Sequence, residues 1–471
     1  MNYTNSVFLL LFGITFVLYY LVGSLRWQLL ILVIASLIFY AWESPPLLAI
    51  FLCSWFITGL SSYGVLTANS PVRAKIFATS GVTINLLLLG FFKYKFLVIQ
   101  NVSQFSHQGP QTFGDWLILA PLPIGISFYT FHGISLLIDI YRGNTPIFTD
   151  RRPGLAKHLA ETLLYLVFFP QLIAGPIIKA KDFYPQVARK RYQDIDFPSC
   201  FRILVVGYFL KSVIADNLSE QTYWIAYPYF QWKSSGDLLL LLYGYSAQIF
   251  ADFAGYSLIA IGLAKLLGYK LPDNFNFPYL SSSISEFWRC WHISLSSWLR
   301  EYLYIPLGGN KKGTWRTYIN LIVVMFLGGL WHGAAWSFAI WGLWHGIGLV
   351  VERPWLDSSI FTSTNPIMKG IRIFAVFNFV TIGWLFFKLQ NFSQAWAYLT
   401  TLFHSDAGGL FAISKMNGFI LFYSIFIFFY HVLHLYKDML PRLLKDFVYG
   451  AMLFLIVTNP GPSTPFIYFQ F

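Results

Sequence analysis

The chain has 471 residues, 56% of them hydrophobic and 20% aromatic but only 11% charged, whereas an ordinary soluble domain carries roughly 25% charged residues. A free-standing water-soluble globule is thereby excluded, and most of the surface has to face lipid. A formal net charge of +12 would suggest nucleic acid in a soluble protein, but here the basic residues sit in particular loops, so their placement reports topology and no nucleic-acid partner is implied.

A membrane-spanning helix needs about 20 mostly apolar residues. Stretches of that kind recur at residues 7–22, 29–42, 47–66 and 76–99 and continue to the C-terminus. About 11 spans are expected, with shorter segments that only enter the membrane, in a single integral membrane domain over residues 1–471. No Gly/Ser linker or low-complexity tract divides it. The first charged residue is Arg26, so the first apolar run has no basic n-region and no small-residue cleavage site and reads as a retained anchor. Arg26 follows the first run, Glu43 with Pro45 and Pro46 the second, and Arg73 with Lys75 the third; residues 101–115 hold no Lys or Arg. Arg142, Arg151, Arg152 and Lys157 follow the next span, and Lys179, Lys181, Arg189, Lys190 and Arg191 lie beyond another apolar run. The positive-inside rule then puts the N-terminus outside the cytoplasm and the 151–157 loop inside it. With basic residues at both ends, the run 159–178 is expected to dip in and return, which requires burial in protein or a wet cavity.

Further on, IFADFAGYS places Asp252 in an apolar segment beside Gly255. It could orient a catalytic group or pair with an arginine, and structural pairing is the expectation. Residues 281–309, SSSISEFWRCWHISLSSWLREYLYIPLGG, keep helical periodicity but are too polar for a plain span. Ser283 and Glu286 fit a capping box, and Phe287, Trp291, Leu295, Trp298 and Tyr302 make one apolar face. Glu286, Arg289, His292, Ser296 and Arg300 form the opposite stripe, which would turn His292 toward water or substrate. The alternative is a surface helix whose arginines contact lipid phosphates. Cys290 is a thiol beside Trp291 and His292, but sequence neighbours point apart on a helix and no second group is placed to lower its pKa. Cys53, Cys200 and Cys290 are scattered, without CxxC spacing, so neither a disulfide framework nor a zinc site is expected.

The segment 317–353, TYINLIVVMFLGGLWHGAAWSFAIWGLWHGIGLVVER, exceeds one ordinary span and is interrupted by Gly328, Gly329 and Gly333. Two pieces are expected to meet at this break. The run 317–327 is about 11 residues, a rise of roughly 16 Å and half a hydrocarbon core, which sets His332 deep in the membrane. An intramembrane ionisable residue beside broken backbone faces a cavity or a partner; a histidine bonding a neighbouring helix is the other reading. In a continuous helix, His345 of the second Trp-His-Gly would be rotated by about 220° from His332, so it is given a packing or hydrogen-bonding role. His107, His132, His158, His404, His431 and His434 lack comparable context and read as structural or solvated.

FFPQLIAGPI at 168–177, NFNFPYLSSSISEFWRCWHISLSSWLREYLYIPLGG from Asn274, GLWHGAAW at 329–336 and the terminal FIYFQF together resemble the membrane-bound O-acyltransferase family. The similarity is to its bacterial branch, with alginate O-acetylases and the D-alanyl transferase of teichoic acid synthesis. The tail and the length favour the alginate O-acetylase-like side, and the N-terminal third matches in hydropathy only. Cys290 stands where an arginine commonly precedes the WH pair, and Leu258 where relatives often carry an acid. The resemblance implies an all-α polytopic fold around a central cavity in the bacterial cytoplasmic membrane. It implies His332 as the catalytic histidine, His292 as a second active-site candidate, and Trp288, Arg289, Ser296, Arg300 and Trp331 as residues near substrate. It further implies an acyl thioester donor such as acetyl-CoA or an acyl carrier protein and no permanently bound cofactor; the chemistry requires no metal, and the sequence offers no ligand set for one. The acceptor would be a hydroxyl of an extracytoplasmic polysaccharide, alginate-like or another surface glycan, with a periplasmic or surface lipase-like transferase as partner. D-alanyl transfer to teichoic acid-type polymers, a non-enzymatic transporter and a scaffold for a soluble transferase are the alternatives. Chemically, a neutral imidazole suits removal of a hydroxyl proton. The developing oxyanion needs preorganised donors, for which His292 or backbone N–H groups between Gly328 and Gly333 are the candidates.

Overall fold

A computed structural model describes residues 3–42, 44–98, 112–144, 153–172, 175–404, 414–436 and 438–467. Glu43, His107 and most of the 101–115 turn, Arg151, Arg152, Ile173 and Ala174 of FFPQLIAGPI, and the last four residues of FIYFQF lie outside them. The described regular structure is helical, with one isolated bridge pairing Phe275 and Trp291. Six of these helices are long and apolar enough to cross a membrane, and three shorter apolar helices accompany them. Along many of them one side is exposed and apolar, as at Leu10, Leu21, Phe374 and Phe428. Patches of that extent are rare on soluble monomers and match lipid contact. The all-helical polytopic fold expected from composition is therefore present.

The residues group into two compact units. The first, residues 1–200 with 260–272, contains α1 (Ser6–Leu21), α2 (Leu25–Ala41), α3 (Pro45–Thr67), α4 (Pro71–Val98), α5 (Ile126–Tyr141) and α6 (Leu155–Val167). Helices α3, α4 and α5 pack against one another through small and polar residues, since lipid offers no hydrophobic drive for helix association. Asn85 of α4 donates to Thr58 of α3 at 3.0 Å and accepts from Ser54, and Gly133 of α5 lies against the same Thr58. Helix α6 has 13 residues, about 20 Å, too short to cross. The chain from Leu164 to Phe169 that follows its middle is buried, as backbone leaving a helix inside a membrane must be. Gln171 donates to the Tyr165 carbonyl at 2.7 Å, and Tyr3 to those of Phe169 and Pro170.

The second unit comprises residues 201–259 and 273–471. It holds most of α7 (Phe197–Tyr208) and of α8 (Ser235–Leu266), then α9 (Ile284–Cys290), α10 (Ile293–Leu299), α11 (Thr314–His332), α12 (Trp336–Glu352), α13 (Pro366–Lys388), α14 (Phe392–His404), α15 (Lys415–Leu435) and α16 (Arg442–Thr458). Helix α8 is the most enclosed of the long helices, 83% of its apolar window being buried. After α7 the backbone widens into a π-helical turn at Phe209–Ala215, where Gly255 of α8 comes so near that a Cβ on it would lie 2.8 Å from the Lys211 nitrogen. The turn delivers Lys211, fully buried, between Asp216 at 2.8 Å and Asp252 at 2.7 Å. Lys211 also donates to the Thr464 carbonyl, and Asp252 accepts from the Ile467 amide. Asp252 is thus structurally paired, as expected, but with a lysine and not an arginine.

Candidate active site

The amphipathic helix expected over 281–309 is broken in the middle. Trp291 is extended and His292 adopts a left-handed conformation, φ 42° and ψ 54°, which costs a non-glycine residue of the order of 1–3 kcal/mol and persists only where surroundings over-determine it. The surroundings are the NFNF segment. Asn276 donates to the Cys290 carbonyl, the Asn274 carbonyl accepts from Ile293, and the Asn274 side chain accepts from the Ser294 hydroxyl at 2.7 Å. Ser283 caps α9 by accepting from Glu286, but Glu286 reaches back to Ser282 in place of Ser283. Glu352, at the end of α12, accepts from the Ile284 and Ser285 amides. The helix N-terminus therefore meets a distant carboxylate that the periodicity gave no means of finding.

This break corrects the expected polar stripe. His292 is 1% exposed, facing neither water nor the cavity described below. Its ring meets that of Phe253 edge-on at 4.5 Å and lies 6.3 Å from Trp331. Burial pushes its imidazole down to about 3, leaving it neutral. Arg289 is exposed on α9, and burial pushes the Cys290 thiol up, the reverse of what a thiolate nucleophile needs.

The two pieces expected in 317–353 do meet, but at Gly333 and not at Gly328 or Gly329. Helix α11 runs unbroken through Gly328 and Gly329 for 19 residues, ending at His332, with Gly333 extended. At about 28 Å long, α11 is not a half-span, so the depth assigned to His332 from an 11-residue piece does not hold. The glycines serve close packing: α11 and α12 form a tight antiparallel hairpin in which a Cβ on Gly329 would fall 2.2 Å from the Phe338 carbonyl oxygen, and one on Gly342 2.3 Å from that of Met325. Backbone approach of this kind is the small-residue mode of helix association in lipid. Backbone N–H groups from Gly328 to His332 are spent inside α11, where each donates to the carbonyl four residues back.

His332, at the tip of this hairpin, opens on a cavity of about 220 Å³. Trp288, Ser296, Arg300, Tyr304 and Trp341 line it with His332, and leucines 295, 299, 321 and 349, Val324, Met325 and Gly328 complete the wall. Four of the residues singled out from sequence thus come together: His332, Trp288, Ser296 and Arg300. Arg289, His292 and Trp331 do not line the cavity, although the Trp331 ring is 5.0 Å from that of His332. Ser296 donates to the Trp291 carbonyl at 3.2 Å. The His332 ring stands perpendicular to Trp341 at 5.0 Å and 5.1 Å from Phe387. His345 also lies 5.0 Å from Trp341, boxed by Phe287, Trp288 and Phe379, in a packing role as expected. Trp341 and the apolar wall on α10–α12 had no sequence signal beyond a high density of tryptophan. Of the other histidines, His158 bonds Ser62, His431 bonds the Ile427 carbonyl, His434 stacks on Phe277, His404 is exposed and His132 packs on Tyr165.

Residues 155–396, which include every residue of the cavity wall, match MBOAT, the membrane-bound O-acyltransferase family. The chain belongs to this family. It is accordingly an O-acyltransferase, which sets aside the transporter and scaffold readings. The chain is 38% identical over 413 residues to a protein of Azotobacter vinelandii named "Probable alginate O-acetylase AlgI", spanning 86% of this chain and 78% of that relative. It is 34% identical to the peptidoglycan O-acetyltransferase of Helicobacter pylori, over 82% of this chain and 75% of the relative. Against the teichoic acid D-alanyltransferase of Bacillus subtilis the identity is 30%, over 57% of this chain and 69% of the relative.

Proposed function

We propose that this O-acyltransferase moves an acetyl group from a cytoplasmic thioester, such as acetyl-CoA or an acetylated acyl carrier protein, toward hydroxyls of an extracytoplasmic polysaccharide, with His332 as general base. The observation that carries this reading is His332 at the tip of a glycine-packed hairpin, open to a cavity with an apolar wall and Arg300 exposed among its lining residues. In the step itself, His332 takes the proton from the acceptor hydroxyl as the hydroxyl oxygen bonds the thioester carbon. The intermediate then collapses, the C–S bond breaks, and the imidazolium returns the proton to the departing sulfur. The apolar wall excludes water that would hydrolyse the thioester. Acetyl is preferred over D-alanyl because the acetyl-transferring relatives align over 82–86% of the chain and the D-alanyl one over 57%.

His292 is assigned as a positioning residue acting through Trp331, the immediate neighbour of His332. The chain is placed in the bacterial cytoplasmic membrane with an extracytoplasmic N-terminus, on the loop charges described above. The acceptor is an alginate-like or other surface glycan, and a periplasmic or surface transferase of the lipase-like hydrolase type completes delivery. The test is acetyl transfer by purified protein in vesicles loaded with donor. His332→Gln keeps a hydrogen bond but cannot take up a proton, so a loss of at least the ~10²- to 10⁴-fold typical of acid-base catalysis is expected with normal yield and melting temperature. Wild-type turnover by a stable His332→Gln protein would overturn the assignment.

A further inference from the structure

Of the donors that the sequence offered for the oxyanion, His292 is buried away from the cavity, and the N–H groups of Gly328 to His332 bond within α11. His332 itself ends a helix, where free carbonyls and the negative end of the dipole gather, and an anion finds no support from them. Two other donors line the same cavity. The indole nitrogens of Trp288 and Trp341 are buried and, among the described residues, meet no hydrogen-bond acceptor. An indole N–H can only donate, and buried donors in native proteins are almost always paired. Two orphans on one cavity wall, their rings 5.6 Å apart and the second 5.0 Å from the ring of His332, point to an acceptor supplied by the substrate.

Resting on the proposed role of His332, we infer that the indole N–H groups of Trp341 and Trp288 form the oxyanion site for the tetrahedral intermediate of acyl transfer. When the hydroxyl oxygen attacks, its electron pair forms the C–O bond, its proton passes to His332, and the carbonyl π pair moves onto the carbonyl oxygen. That oxygen then accepts from the two indoles. On collapse the pair returns to re-form C=O, the C–S bond breaks, and the thiolate takes the proton from His332. The rings are fixed before substrate arrives: Trp341 is 2% exposed and held by stacking on Trp384, and Trp288 stands perpendicular to His345 at 5.1 Å. Preorganisation of this sort is what makes donors effective against developing charge.

The experiment uses purified full-length protein with acetyl-CoA as donor and a small soluble sugar hydroxyl as acceptor, which needs no delivery partner, and reads CoA release. It compares wild type, Trp341→Phe, Trp288→Phe, His332→Gln, and a protein carrying 3-benzothienylalanine at position 341, whose sulfur replaces the N–H in a ring of the same shape. The expected result is a fall in kcat of ~10²- to 10³-fold for the Trp341 changes, as for loss of one oxyanion donor, with KM near wild type. The benzothienyl protein decides the matter if Trp341→Phe folds poorly. Wild-type kcat in the benzothienyl protein, or a raised KM with unchanged kcat, would overturn the inference. Turnover retained by His332→Gln would overturn the role of His332 instead, so the two failures are distinguishable.

Discussion

At position 211 a single lysine faces two buried carboxylates, and the sequence around it, YFLKSVIAD, holds Asp216 five residues on, a spacing that only the π-helical turn brings together, and gives no hint of Asp252. Replacing one partner of a buried ion group leaves uncompensated charge, which costs about 3–5 kcal/mol. Lys211→Met is therefore expected to lower the melting temperature of the purified protein sharply, and a Lys211→Met/Asp216→Asn/Asp252→Asn protein to recover a large part of it. Equal loss in both proteins would mean that the lysine stem and not its charge holds the site. His292 offers a pH test. Its imidazole is pushed from 6.5 down to about 3 by burial, so above pH 6.5 both folded and unfolded chains leave it neutral and it contributes no pH dependence. As the pH falls from 6.5 toward 3 the unfolded chain takes up the proton first, and stability drops. His292→Asn tolerates the left-handed backbone and removes the titration. Thermal melts at pH 7.5 and 5 should show a smaller pH-induced loss in the variant than in wild type. Because His292 packs on the Trp331 side and not in the cavity, the variant's turnover should fall with yield near wild type.

At the scale of elements, the α11–α12 hairpin fixes where His332 meets Trp341. Gly329 and Gly342 face carbonyl oxygens of the opposite helix at 2.2 and 2.3 Å from a would-be Cβ, whereas Gly328 faces only the flexible Leu299 side chain at 3.3 Å. Overpacking costs typically 1–3 kcal/mol, and a backbone contact that cannot yield lies at the upper end of that range. Gly329→Ala and Gly342→Ala are expected to lose both melting temperature and acetyl transfer, and Gly328→Ala to keep its stability while narrowing the cavity it lines. A stable and active Gly342→Ala protein would show that the helix spacing does not set the site. The sequence marked this region through GGLWHG and the second WHG, and of the three glycines read as a break only Gly333 is one. Helical periodicity carries no information on which glycine faces a neighbouring backbone, because that depends on the partner helix.

For the molecule as a whole, the orientation proposed from the loop charges, with the N-terminus outside the cytoplasm and the loop before α6 inside it, can be tested directly. Single cysteines at Asn5 and Lys157, introduced into a background with the three native cysteines replaced, are expected to differ in intact cells. An impermeant maleimide should label position 5 and spare position 157, and the reverse pattern would invert the topology. On the proposed orientation, with the proposed cytoplasmic donor and extracytoplasmic acceptor, polymer acetylation in vesicles should require the added extracytoplasmic transferase. Full acetylation by this chain alone would remove that partner.

Composition and hydropathy by themselves determined that the chain is helical and membrane-embedded, since 56% hydrophobic residues with 11% charge admit no other solvent and lipid admits few other backbones. The motifs around His332 were enough to reach the family, Ser296 and Arg300 fall on one helical stripe, and Trp288 came from the family resemblance. Tertiary structure alone decided that His292 is buried, because the turn that carries it is imposed by Asn274 and Asn276, 16 to 18 positions away. It alone brought Glu352 to the start of α9, Lys211 to its two carboxylates and Trp341 to the cavity. All of these but the local Lys211–Asp216 pair, which the π-helical turn brings together, are long-range pairings whose partner is selected by how helices cross, and a one-dimensional period records only which residues share a face.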